Sequence, residues 1–124
     1  MALAAEYNNW SKDKISNRTS ELAELVSIDK DLLYRKPDQL SGGQAQRISL
    51  IRALMLDPDF ILMDEPLGSI DPLVRYDLQT DLKQIFKSLH KTVLLVTHDL
   101  GEAAYLGDEI VLMKDGTIIQ QDSI

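Results

Sequence analysis

Apolar positions recur at helical spacing in the first forty residues, where Ile15, Leu22, Leu25 and Val26 mark one stripe on an otherwise charged helix. Asp29 to Pro37 then reads as a connector, because Pro37 disfavours helix at Lys36. Ser41-Gly42-Gly43 opens a second helical run carrying Ala45, Ile48, Ile51, Leu54 and Met55, stopped by Asp57-Pro58. Phe60 to Met63 is continuously apolar and ends in two acids, which predicts a buried strand. Asp71 as N-cap with Pro72 at the first helical position starts a third helix, with Leu78, Leu82, Ile85 and Leu89 on one face. Thr92 to Val96 predicts a second buried strand. Asp99 with Glu102 has the spacing of a capping box before a short helix. Glu109–Met113 and Thr117–Gln120 flank Lys114-Asp115-Gly116, a hairpin signal. Strands separated by helices imply parallel pairing and an α/β fold. No internal repeat or low-complexity tract interrupts this order.

Composition narrows the function. The 124 residues carry a formal charge of -7, which argues against a nucleic-acid groove built from clustered Lys and Arg. A single nucleotide remains compatible, since main-chain amides hold phosphates without net basic charge. The absence of Cys excludes disulfides and thiolate metal sites and fits a reducing cytoplasm. No window reaches 18 apolar residues, and Met1 to Ala5 lacks the basic start of a signal peptide.

Three clusters could carry chemistry. Ser41, Gly42, Gly43 and Gln44 place main-chain N–H groups and a hydroxyl at a helix start, suited either to a phosphate or to simple capping. Asp64 and Glu65 follow the first strand, where ligands sit in α/β sheets. Alternation sends the two carboxylates in different directions, so one could hold Mg²⁺ through its water shell and the other face an attacking water. Two solvated loop acids are the plainer alternative. His98, after the second strand, could donate to a phosphoryl oxygen or be an ordinary loop residue. His90 has no acidic or glycine-rich company and is assigned to the surface.

Taken in order, Leu40 to Arg47, Ile61 to Asp71 and Val96 to Asp99 resemble the ATP-binding subunit of ATP-binding-cassette (ABC) transporters over nearly the whole chain. Leu40 to Gln44 is similar to the family signature and Leu62 to Pro66 to its Walker B strand with the following glutamate. Gly68 to Asp71 is similar to the D-loop and His98 to the switch histidine. The resemblance implies an α/β P-loop NTPase core, incomplete here, with a mostly parallel sheet. Residues 1–40 would be part of the α-helical subdomain and residues 41–124 the C-terminal part of the ATPase core.

It also implies roles. Ser41, Gly42, Gly43 and Gln44 would meet the γ-phosphate of ATP held by a facing subunit, and Asp71 would lie at the dimer seam. Asp64 would support Mg²⁺, Glu65 would be the general base and His98 would steady the γ-phosphate. The partners implied are a second nucleotide-binding subunit, head to tail, and transmembrane permease subunits, with the protein peripheral on the cytoplasmic face of the membrane. Val96 to Gln121 is similar to importer subunits for quaternary amines such as glycine betaine or choline.

The sequence lacks one expected part. None of its six glycines precedes a lysine, so no Gly-x-x-x-x-Gly-Lys-Ser/Thr loop is present. The expectation is a C-terminal portion of a nucleotide-binding domain, inactive alone, with uncovered apolar faces and open strand edges. Two alternatives share the motifs: the C-terminal lobe of a chromosome-maintenance or DNA-repair ATPase, and a non-catalytic segment that pairs with an intact subunit. The first should be preceded by sustained heptads, which residues 1–40 lack.

Overall fold

The computed structural model describes residues 8–68 and 70–124. Ser69, one of the D-loop positions, lies outside the described residues. Helix α1 (Lys12–Leu25) starts where the Ser11 hydroxyl accepts the Lys14 amide, satisfying an N–H with no partner inside the helix. Its predicted stripe is the one that packs: Leu22 and Val26 are buried, Ile15 and Leu25 half-buried. The connector is more ordered than expected, with short 3₁₀ turns at Lys30–Tyr34 and Pro37–Gln39.

Helix α2 (Gly42–Leu54) buries Ile51 and Leu54, with Met55 just beyond its end, as the periodicity requires. Leu50 joins them, so the buried face is wider than the expected stripe. Strand β1 (Phe60–Asp64) leads through a turn to α3 (Pro72–Leu89), capped by the Asp71 carboxylate accepting the Leu73 amide at 2.9 Å. Leu78, Leu82 and Ile85 bury the inner face of α3. His90 ends that helix in a left-handed conformation and is exposed, as assigned from sequence.

Strand β2 (Thr92–Val96) pairs with β1 in parallel, from Phe60 opposite Thr92 to Asp64 opposite Val96. A short helix, α4 (Leu100–Leu106), precedes an antiparallel hairpin of β3 (Glu109–Lys114) and β4 (Thr117–Ser123). Asp115 and Gly116 at its turn both have positive φ, as a two-residue type I′ connection demands. The architecture is α/β. Its described strands form one parallel and one antiparallel two-stranded sheet, so the sheet is less dominantly parallel than expected.

The core joins α1, α2, β1 and α3 around Leu22, Val26, Ile51, Leu54, Met55 and Leu67. Burial of β1 corrects one expectation. Ile61 and Met63 face the core, but Phe60 is 53% and Leu62 62% exposed, as are Leu94 at 50% and Val96 at 47% on β2. The helices cover one face of this sheet. An unbroken apolar run suits a strand covered on both faces, and nothing among the described residues covers the second.

Candidate functional site

The parallel pairing sets the site. Because Asp64 lies opposite Val96, the segments leaving β1 and β2 emerge side by side at their carboxyl ends. Asp64 closes β1 on the open face of the sheet and is exposed to solvent. The next residue, Glu65, has φ of +45°, a region costly for a side chain bearing a Cβ. It is held there at both ends, its amide donating to the Val96 carbonyl at 2.9 Å and its carbonyl accepting the Gly68 amide at 3.2 Å. This turn separates the two carboxylates, as alternation predicts, and aims Glu65 across to the partner strand.

What Glu65 meets there is His98. One carboxylate oxygen, Oε1, accepts the His98 amide at 3.1 Å and lies 2.7 Å from the ring Nδ1. The hydrogen bond to this carboxylate, and its charge, raise the His98 imidazole above its ordinary value. The ring is otherwise open, with 79% of the side chain exposed. The other oxygen, Oε2, lies over Gly68, where a Cβ would come to 3.4 Å of it.

The segment carrying His98 is tied internally. Thr97 Oγ1 accepts the Asp99 amide at 3.1 Å and donates to Glu102 Oε2 at 2.9 Å. Asp99 Oδ1 accepts the Gly101 and Glu102 amides at 2.8 and 3.1 Å, which holds its carboxyl below the usual range. The predicted capping box is therefore only half present: Asp99 caps α4, but Glu102 turns to Thr97 and is 3% exposed. The Asp99 amide was already satisfied by Thr97, which freed Glu102 for the interior. Arg75 of α3 approaches from the other side, donating to the Ile70 carbonyl at 3.3 Å and lying 3.9 Å from Asp99 Oδ2. Thr97, Glu102 and Arg75 were not singled out from sequence, and only the Asp99–Glu102 spacing hinted at one of them.

At the start of α2 the capping box is complete. Ser41 Oγ accepts the Gln44 amide at 3.2 Å and Gln44 Oε1 accepts the Ser41 amide at 3.0 Å. Gln44 thus turns its side chain back on the helix end. Gly42 is exposed beside Ile70, whereas Gly43 is buried and a Cβ on it would come to 3.3 Å from Leu78 Cδ1. The helix start and the Gly68–Asp71 turn are therefore neighbours. Asp71 is exposed at the same corner, its carboxylate occupied with capping α3. No group of three or more acidic, His or Cys side chains suited to a metal ion occurs among the described residues. Asp64 stands as a single carboxylate, a donor set that suits Mg²⁺ only where phosphates and water complete the shell.

This chain belongs to the ABC transporter family, whose profile matches residues 2–68. It is similar to a carnitine transport ATP-binding protein of Listeria monocytogenes, 46% identical over 99% of this chain and 31% of the relative. A choline transport ATP-binding protein of Bacillus subtilis is 44% identical over 97% of this chain and 32% of that protein. A glycine betaine uptake ATP-binding protein of Escherichia coli is 43% identical over 98% and 39%. The chain thus spans about a third of the length of these relatives. Among solved structures, the ATP-binding cassette MJ0796, a dimer in a post-hydrolysis state bound to ADP and Pi, superposes with a TM-score of 0.73 at 32% identity. That match covers 92% of this chain and 49% of the cassette. The fold is that of an ABC ATPase cassette. These relatives are transport subunits, and the chromosome-maintenance alternative draws no support from them. No helix among the described residues is long and apolar enough to cross a membrane.

Proposed function

We propose that these residues supply the hydrolytic acids and the signature segment of an ATPase that powers import of a quaternary-amine osmolyte through a membrane permease. The observation carrying this reading is the convergence of Glu65 and His98 at the carboxyl ends of adjacent parallel strands, with Glu65 in a costly conformation to reach it. The carnitine, choline and glycine betaine proteins support the solute class.

The proposed step uses the two oxygens of Glu65 differently. Oε1 is taken by His98, and Oε2 accepts a proton from water as that water's oxygen bonds to the γ-phosphorus and the bond to the β-phosphate oxygen breaks. With Nδ1–H donated to Glu65, protonated His98 offers Nε2–H to a γ-phosphoryl oxygen, and its raised pKa favours that form. Asp64 would hold Mg²⁺ through water, the ion neutralising phosphate charge. Ser41, whose hydroxyl hydrogen is left to donate once its oxygen caps the helix, would meet the γ-phosphate of a nucleotide on a facing subunit together with the Gly42 and Gly43 amides. Gln44 would act there by fixing the Ser41 amide, and Asp71 would line the head-to-tail seam. A phosphate loop must come from outside these 124 residues, which contain none. The assembly would sit on the cytoplasmic face of the membrane. Residues 1–40 and 41–124 would be the helical and core portions.

The test is a chimera in which this chain replaces the matching third of the Listeria carnitine subunit. The chimera should hydrolyse ATP, and Glu65→Gln should lower turnover by about 10²–10⁴-fold while ATP still binds. Wild-type turnover in the Glu65→Gln chimera would refute the role given to Glu65.

A further inference from the structure

We propose that Glu102 is a positioning residue: through the Thr97 hydroxyl it sets the turn that brings both the amide and the ring of His98 to Glu65. The inference rests on the reading of Glu65 and His98 as the hydrolytic pair.

Glu102 sits four residues beyond His98, on α4, and touches neither member of the pair. It is 3% exposed, and its Oε1 has no hydrogen-bond partner among the described residues. A buried carboxylate with one oxygen unsatisfied is costly, and here burial raises its pKa against the lowering effect of the Thr97 hydrogen bond, with the charges of Asp99 and Glu65 adding to that rise and Arg75 opposing it. Capping does not account for it, because the Asp99 amide is taken by Thr97. Among the described residues its side chain bonds the Thr97 hydroxyl at 2.9 Å.

That bond has a directional consequence. A threonine hydroxyl has one hydrogen, and giving it to Glu102 leaves the lone pairs of Oγ1 for the Asp99 amide. The bond from Asp99 to Thr97 closes a ring around the residue between them, and the bond from Thr97 to Glu102 ties that ring to α4. His98 is that residue, and its amide then points at Glu65 Oε1. Without an acceptor at position 102 the hydroxyl is free to rotate and donate elsewhere, and the Asp99 amide loses its fixed partner.

Amide hydrogen exchange measured by NMR on the full chain tests this residue by residue. Glu102→Leu and Thr97→Val should each speed exchange at His98 and Asp99 by about tenfold or more. The Thr92 amide, bound to the Asp59 carbonyl at the far end of β2, should keep its rate. Glu102→Gln and Thr97→Ser, which preserve an acceptor and a hydroxyl, should retain protection. Unchanged exchange at His98 and Asp99 in the Leu and Val variants would overturn the proposal, and so would an equal acceleration at Thr92. Should Glu102→Leu fail to fold, Glu102→Met, which also lacks an acceptor but keeps a flexible apolar chain, decides in its place. These rates do not depend on hydrolysis, so failure of the catalytic reading of Glu65 would show in turnover and leave them untouched.

Discussion

A single oxygen of Glu65 receives two groups from His98, the main-chain amide at 3.1 Å and the ring Nδ1 at 2.7 Å. The amide bond fixes where the histidine begins and the ring bond fixes which nitrogen faces the carboxylate. Nε2 is thereby turned outward, toward solvent and any ligand. The pair is assembled by main-chain geometry as much as by side-chain attraction.

The protonation of His98 follows from that arrangement. The hydrogen bond and the charge of Glu65 raise its pKa, so the imidazolium persists to higher pH than an unpaired histidine would. In linkage terms the folded state holds the proton more tightly than the unfolded one. The associated stabilisation is complete below the ordinary imidazole value and disappears as pH rises through the raised one. Titrating the ring by NMR should show the elevation, and Glu65→Gln should remove most of it. An ordinary value in the unsubstituted chain would break the pairing.

The two glycines at the start of α2 differ in what they tolerate. At Gly42 an added Cβ makes only ordinary contact with Ile70 at 3.8 Å, so Gly42→Ala should leave stability unchanged or raise it by up to ~1 kcal/mol. Gly43 is packed against Leu78 and Val74, and Gly43→Val should cost about 1–3 kcal/mol in urea unfolding. Lost turnover in Gly42→Ala with intact stability would then report on phosphate approach rather than folding. Equal destabilisation at both positions would contradict the packing described.

The sequence displays the elements clearly because their signals are local: Ser11, Ser41, Asp71 and Asp99 each cap the helix they precede. The order of Asp64, Glu65 and His98 around two strands also placed the carboxyl-end site. Its internal wiring was less visible. Glu102 has the spacing of a capping residue, and only the three-dimensional position of the Thr97 hydroxyl shows that it does something else. Arg75 reads as one more charge on a helix face until Ile70 and Asp99 are found at its tip. The burial expected for β1 failed because a continuous apolar run shows that two faces want cover, not whether this chain supplies both.

Arg47 ties three elements. Its guanidinium donates to the Val26 carbonyl beyond α1 at 2.6 Å and pairs with Asp81 of α3. Arg47→Ala should destabilise the chain by about 1.5–3 kcal/mol, the range for hydrogen bonds to a charged group. Arg47→Lys should recover little of this, because one ammonium cannot reproduce the fork that reaches both partners. Thermal unfolding of the two variants checks the point, and full recovery by Lys would show that charge alone suffices.

The open face of the parallel sheet sets solution behaviour. Phe60, Leu62, Leu94 and Val96 present adjacent apolar side chains beside strand edges that no described strand pairs. Such surfaces drive association. The chain at high concentration should scatter light as an oligomer, and Leu62→Lys with Leu94→Lys should shift it toward monomer without loss of helical signal. A wild-type chain that stays monomeric at all concentrations would contradict this.

Glu102 shares its pH direction with His98 but from the opposite cause, because here it is the neutral form that the fold favours. Burial raises its pKa above the ordinary carboxylate value against the Thr97 hydrogen bond, with Asp99 and Glu65 opposing its charge and Arg75 favouring it. Between the ordinary and the raised value the folded state binds the extra proton, so stability contributed by this group falls as pH rises across that window. Glu102→Gln keeps an acceptor for Thr97 and removes the charge. Relative to the parent chain, the Gln variant should therefore gain stability as pH moves from the acidic side of the carboxylate range to neutrality, read as a growing difference in urea midpoint. A difference that shrinks with rising pH would mean that Glu102 is stabilised as a carboxylate, and that the Thr97 hydrogen bond, helped by Arg75, outweighs burial.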